Sequence, residues 1–118
     1  MKLGINLPTV DIGGDPAVVK EFAQTAEELG YDHLTLADHV LGVNAENLPD
    51  WGNRNTSADY FHDPFLLFSY LSACTSHIEF STQVLILPQR QTALVAKQSA
   101  SLDILSEGRF RFGIGIGW

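Results

Sequence analysis

The chain has 118 residues, of which 45% are hydrophobic and 18% charged, and this balance is typical of one globular domain. Its formal net charge of -7 and its seven Lys and Arg residues argue against a nucleic acid or an anionic membrane surface as a partner. Cys74 is the single cysteine, so no intrachain disulfide and no cysteine-based metal site is expected. The start of the chain has no leader-like apolar run, which makes the cytoplasm the expected compartment.

The first third of the chain predicts a strand, a helix and a second strand. Apolar residues alternate with small or polar ones over residues 3–7, as in a short strand. Asp15 and Pro16 are typical of a helix start, and Gly30 is suited to the residue after its end. Residues 32–37 then form the predicted second strand.

A long polar segment, residues 40–63, separates this strand from the next helix. Segments of this length without regular structure are uncommon in compact domains and are often functional. Asp63 and Pro64 repeat the Asp-Pro signal and predict the start of the second helix.

The remaining residues predict two more strands around a third helix. Residues 78–87 are long for one strand, so a bulge is expected there. Thr92 is the predicted cap of the third helix, Gly108 its predicted end, and residues 109–114 the fourth strand.

Helices between successive strands imply right-handed crossovers and a parallel sheet. The predicted fold is therefore α/β with (βα)3β order, corresponding to the N-terminal half of a (β/α)8 barrel. Residues 1–118 would form one partial domain, because the fourth strand begins a unit that nothing in the sequence completes. We accordingly expect the chain to be a fragment of a longer protein.

In parallel α/β folds, ligands bind where the strands end. Asn6 follows the first strand and is a candidate substrate contact, while Asp38 and His39 follow the second. Histidine titrates near neutrality and suits proton transfer, although an Asp-His pair could also form a simple turn. No spacing of histidine and acidic residues resembles a metal site.

Two further features lie at strand ends. Arg90, beyond the third strand, could hold a phosphate or carboxylate, or could be an ordinary solvated arginine. The glycine-rich residues 113–117 do not match the dinucleotide-binding fingerprint. Their glycines could admit either a ligand or a neighbouring strand at close range.

Three stretches carry a family resemblance in the expected order. They are MKLGINLP, AEELGYDHLTLADHV and DPFLLFSYLSACTSHIEFSTQVLILPQRQTALVAKQSASLDILSEGRFRFGIGIGW. Together they resemble the bacterial luciferase-like superfamily, in particular its branch of coenzyme F420-dependent oxidoreductases. The resemblance implies a TIM barrel with a flavin or deazaflavin at the carboxyl ends of its strands.

The resemblance also implies residue roles. Asp38 would lie beside the cofactor head group, and His39 would take part in proton transfer or stabilise an intermediate. Gln83 and Val84 would be joined by a non-prolyl cis peptide bond behind the cofactor ring. Residues 40–63 would be a loop on the substrate side.

The end of the fourth strand would also approach the cofactor, through Ile116, Gly117 and Trp118. Some deazaflavin enzymes carry a glutamate acid at the last of these positions, where this chain has Trp118. That acid would be absent or supplied elsewhere.

The functional expectation is an oxidoreductase that carries out hydride transfer or monooxygenation on an unidentified small organic substrate. Coenzyme F420 is the expected cofactor, with FMN as the alternative, and a homodimer is expected at full length. Two other interpretations stay open: a non-catalytic flavin-binding or scaffold protein of the same fold, and a fragment without activity of its own.

Overall fold

The computed structural model of the protein describes residues 1–52 and 55–117. Its strands are β1 (Gly4–Asn6), β2 (His33–Leu36), β3 (Glu79–Thr82), β4 (Leu85–Ile86), β5 (Phe110–Arg111) and β6 (Ile114–Gly115). Its α-helices are α1 (Thr9–Ile12), α2 (Pro16–Glu28), α3 (Pro64–Ser72) and α4 (Thr92–Leu105). Short 3-10 helices span Ala45–Asn47 and Leu87–Gln89.

The main sheet has the strand order β1-β2-β3-β5. Leu34 of β2 pairs with Ile5 on one side and with Phe80 on the other, and Phe80 pairs in turn with Phe110. In the part of the chain that the structure describes, every strand pair is parallel. The predicted strand–helix repetition with a parallel sheet is therefore confirmed, and the carboxyl ends of β1, β2, β3 and β5 lie at the same edge of the main sheet.

Local side-chain chemistry explains where the helices begin. Asp15 accepts a hydrogen bond from the amide of Ala17 at the start of α2, and Asp63 caps α3 in the same way. The cap predicted at Thr92 is wrong: Gln91 has the extended backbone of a cap, and its side chain accepts the amide hydrogen of Leu94 at 2.5 Å. Thr92 is instead the first residue of α4.

The core lies between the helices and one face of the sheet. Phe68 and Leu71 of α3 pack with Leu34 and Phe80 of the sheet, and all four side chains are fully buried. Alternate residues of β2 point to the opposite face, where Thr35 lies within 3.4 Å of the side chain of Asn6. This packing anchors the strands that carry these loops at their carboxyl ends.

The third and fourth predicted strands are each divided in two. β3 and β4 are separated by a cis peptide bond between Gln83 and Val84, the bond that the family resemblance implies. The amide of Gln83 still donates to Leu36 of β2, but the amide of Leu85 donates to Gly113. The chain thus leaves β2 at this point, and β4 forms a separate pair with β6.

Two local elements were not predicted. Residues 9–12, for which the sequence predicted no element, form the short helix α1. The 40–63 segment contains a 3-10 helix and a β-bridge between Val43 and Thr56, so part of this long loop has regular structure.

Candidate active site

A cavity of about 350 Å³ lies at the carboxyl edge of the sheet. Its lining residues come from the ends of β2, β4 and β6 and from the cis peptide: Ala37, Asp38, His39, Gln83, Val84, Ile86, Gly115, Ile116 and Gly117. The structure therefore brings the predicted site residues after β2, β3 and β6 into one place. Trp118, also predicted, lies outside the described residues.

One wall of this cavity is apolar. Val84 and Ile116 are large aliphatic residues with 41% and 86% of their surface exposed, and Ile86 lies beside them. Exposed aliphatic side chains around a cavity offer a surface for a flat apolar ligand.

The glycines of residues 113–117 admit a neighbouring strand. A Cβ atom on Gly113 would lie 2.3 Å from the carbonyl oxygen of Thr82, and one on Gly115 would lie 2.3 Å from Val84 Cγ2. Gly117 also has a positive φ of 77°, a conformation that favours glycine. Of the two open readings, close approach of a strand is the one that these contacts show, and it shapes the cavity wall.

His39 occupies the polar side of the cavity. Burial lowers the pKa of its imidazole, and this effect outweighs the carboxylates of Asp38 and Asp59, which act to raise it. The ring packs against Phe61, with 4.4 Å between the ring centroids and a tilt of 52°. The imidazole is therefore held mainly neutral at pH 7, in the form that accepts a proton.

The carboxylate of Asp38 is fully buried and bound by the chain itself. Arg90 donates to both of its oxygens, from Nη2 at 2.6 Å and from Nε at 3.1 Å. The amide of Ile86 donates to the same carboxylate at 2.9 Å. Asp38 lines the cavity, but these hydrogen bonds join its side chain to β4 and to Arg90, so a cofactor contact by this residue stays a prediction.

Arg90 is a bridge between two carboxylates of the chain. Besides Asp38, it donates from Nη1 to Asp63 Oδ2 at 2.7 Å, and its side chain is 13% exposed. The reading of Arg90 as an ordinary solvated arginine is therefore wrong: its guanidinium holds carboxylates, and these are Asp38 and Asp63 of the chain itself.

Asn6 lies apart from the main cavity. It lines a second cavity of about 200 Å³, together with Phe61, Asn55 and residues of α1. Ala37 lines both cavities. A substrate contact by Asn6, as predicted, would therefore lie next to the His39 cavity rather than inside it.

The sequence of the whole chain, residues 1–118, matches the family model described as luciferase-like monooxygenase. The chain belongs to the luciferase-like family. Its predicted family and fold class, an α/β chain that corresponds to part of a luciferase-like barrel, are thereby confirmed.

Individual relatives are longer than this luciferase-like chain. An uncharacterized protein of Mycobacterium tuberculosis (strain ATCC 25618 / H37Rv) is 32% identical over 123 residues, which cover 100% of this chain and 43% of the relative. An F420-dependent secondary alcohol dehydrogenase, solved with an F420-acetone adduct, matches with a TM-score of 0.75 and 21% identity over 98% of this chain and 32% of its own. The oxygenating constituent of 3,6-diketocamphane monooxygenase from Pseudomonas putida, solved with FMN, matches with a TM-score of 0.72 and 22% identity over 100% and 30%. The chain thus spans less than half the length of these proteins, and the structural matches show a shared fold.

Two features of the luciferase-like site were missed from the sequence. Phe61 was treated only as part of a polar loop, although it covers His39 and lines the second cavity. Asp63 was recognised only as a helix cap, and no local signal marks its contact with Arg90, which lies far away in sequence. An aromatic residue just before a helix cap was the one available hint that the end of the loop packs inward.

Among residues 1–52 and 55–117, the structure holds no group of three or more His, Cys, Asp and Glu side chains placed to bind a metal ion. The same described part contains no helix long and apolar enough to cross a membrane.

Proposed function

We propose that this chain carries part of the active site of an oxidoreductase in which a deazaflavin or flavin ring binds in the 350 Å³ cavity. The observation that carries the proposal is the meeting of His39, Gln83 and the exposed apolar wall of Val84 and Ile116 in one cavity at the edge of the sheet. Coenzyme F420 is the first candidate and FMN the alternative, because luciferase-like structures of similar fold have been solved with each.

The residues of the cavity fit such a ring. Its volume is in the range of small-molecule sites, about 300–1,000 Å³, although only part of a longer protein lines it here. The side chains of Val84 and Ile116 provide an apolar surface for a ring face, and the side-chain amide of Gln83 adds polar atoms to the lining.

When bound, the ring would supply hydride exchange or oxygen activation, and residues of the chain would transfer the accompanying proton. His39 would accept a proton from the substrate, since burial favours its neutral form. Phe61 would keep water from one side of the imidazole. Asp38 would hold the end of β2 in place through Arg90 and Ile86.

The substrate is proposed to enter from the side of Asn6. The smaller cavity is bounded by Asn6, by Phe61 and by Asn55 of the long loop, so this loop would help to select the substrate. Gly117 and Ile116 would stay on the opposite side, against the ring.

The test is a titration of the full-length protein with F420 and, separately, with FMN, followed by the absorbance change of each cofactor. We expect stoichiometric binding of one of them, retained in His39→Ala and weakened in Val84→Glu, which puts a charge in the apolar wall. The protein is also expected to sediment as a homodimer. Binding of neither cofactor by the folded protein would reject the proposal.

The same titration, done with residues 1–118 alone, tests how much of the cofactor site these residues form. Residues 1–118 alone are expected to bind neither cofactor tightly, because the chain spans about a third of the solved relatives and surrounds the cavity incompletely. Tight binding by this chain as a monomer would place the complete cofactor site within it.

A further inference from the structure

We propose that Arg90 is a positioning residue of this site: its guanidinium holds both ends of the 40–63 loop and thereby fixes the place of His39. The inference rests on the proposed role of His39, but it concerns contacts of this chain alone.

The guanidinium of Arg90 lies between Asp38 and Asp63, two residues that are far apart in sequence. Asp38 is the second residue after β2, directly before His39, and Asp63 is the last residue before α3. Arg90 donates two hydrogen bonds to Asp38 and one to Asp63. The guanidinium fork suits this task because its donors lie in one plane and point in fixed directions.

Two residues that bear on the position of His39 are attached to this bridge or lie next to it in the chain. Asp38 precedes His39 in the chain, so its fixed carboxylate limits the backbone from which the imidazole projects. Phe61, whose ring packs on the imidazole, lies two residues before Asp63. Removal of the Arg90 guanidinium would therefore weaken two constraints on the imidazole, the fixed backbone at Asp38 and the packed ring of Phe61.

The bridge also sets the charge near His39. The carboxylates that act on the imidazole are those of Asp38 and Asp59. Arg90 neutralises Asp38 at hydrogen-bond distance. Without the guanidinium, an ionised Asp38 would act on His39 unopposed and raise the pKa of the imidazole.

An arginine elsewhere in the fold provides a matched control. Arg109 is also half-buried and donates to Ser72, Thr75, Ile78 and Ser106, at the amino end of β5. These partners lie at or near the ends of α3 and α4 and just before β3, and none of them belongs to residues 40–63. A purely stabilising role for Arg90 would make the two arginines equivalent.

The test compares Arg90→Met with Arg109→Met in the full-length protein, using hydrogen exchange of residues 56–62 and NMR titration of His39. We expect exchange of these amides to rise at least about tenfold in Arg90→Met, the factor that corresponds to one charge-assisted hydrogen bond, and the pKa of His39 to rise. In Arg109→Met, both quantities should keep their wild-type values even if the unfolding temperature falls.

Asp63→Asn is the second variant, and it decides the question if Arg90→Met does not fold. Asparagine keeps the oxygen that caps α3 but loses the acceptor for Arg90 Nη1. Asp15→Asn makes the same change at the exposed cap of α2. Faster exchange of residues 56–62 in Asp63→Asn, but not in Asp15→Asn, supports the proposal.

Unchanged loop exchange and unchanged His39 titration in Arg90→Met, or in its absence unchanged loop exchange in Asp63→Asn, would overturn the proposal. Neither readout uses a cofactor or turnover. Failure of F420 and FMN to bind would therefore reject the proposed function without deciding the role of Arg90.

Discussion

The phenyl ring of Phe61 covers the imidazole of His39, with 4.4 Å between the two ring centroids. Phe61 belongs to the end of the 40–63 loop and His39 directly precedes its beginning, so the end of the loop returns to cover the residue proposed to move a proton. Burial is the largest influence on the pKa of His39, and it lowers that pKa.

Phe61→Ala should therefore raise the pKa of His39, because water would reach an imidazole that is now partly covered. NMR titration of the His39 ring measures this shift. Tyr60→Ala is the matched control, since Tyr60 packs on His62 instead, with 4.9 Å between the centroids. An equal shift of His39 in both variants would mean that general loosening of the loop, rather than the covering ring, sets its titration.

His39→Ala in the full-length enzyme should lower turnover by about 10²–10⁴-fold, the usual effect of removing a general acid or base. Cofactor affinity should change little, because the apolar wall of Val84 and Ile116 is untouched. Steady-state rates and a cofactor titration separate the two effects. His77→Ala, at an exposed histidine, should leave turnover and cofactor affinity unchanged. A wild-type rate in His39→Ala would mean that His39 only forms a turn after β2.

The order of elements was predictable because its signals are local. Asp15 and Asp63 each precede a proline and cap the helix that follows, and both helices begin where expected. Alternating apolar residues indicated the first strand, and the sheet is parallel as the strand–helix connections require.

The division of the later strands was harder to predict because it depends on neighbours distant in sequence. The residues of β4 lie within the single long strand predicted over residues 78–87, yet the chain changes partner from β2 to β6 after Gln83. The cis peptide was predicted from the family resemblance. The spacing of residues indicated only that residues 78–87 are too long for one regular strand. The Asp38–Arg90–Asp63 bridge joins three separate segments, so no sequence pattern within one of them reveals it.

Glu27→Gln should destabilise the protein by about 2 kcal/mol, because the carboxylate accepts several charge-assisted hydrogen bonds. Its oxygens accept from the amides of Ser76, His77 and Ile78 at 2.7–3.1 Å and hold the loop before β3. Urea unfolding at pH 7 measures the loss. Glu28→Gln, an exposed neighbour, should cost much less, and equal costs would contradict the role given to these amides.

The same carboxylate makes an acid-sensitivity prediction. Burial alone would raise the pKa of Glu27, but the hydrogen bonds from His77, Ile78 and Ser76 outweigh it and lower the pKa below 4.5. The stabilisation is thus present above pH 4.5 and is lost as the pH falls through the lowered folded-state value. The stability difference between the wild type and Glu27→Gln should shrink over that range in urea titrations; a constant difference would contradict the prediction.

The free energy of unfolding should also fall on mild acidification, between about pH 6.5 and the lowered pKa values of two half-buried histidines, His39 and His62. Burial lowers the pKa of His39 and of His62 from the ordinary 6.5. Below pH 6.5 the unfolded chain binds protons that the folded protein resists, so the free energy of unfolding decreases as the pH falls. The double variant His39→Gln/His62→Gln removes both groups, so its free energy of unfolding should change less between about pH 7.5 and 5.5 than that of the wild type. These limits lie about one unit on either side of the ordinary histidine pKa. The range also lies above the titration of Glu27. Unfolding free energies at several pH values check this, with exposed His77→Gln as the control; a double variant as steep as the wild type would show that other groups cause the loss.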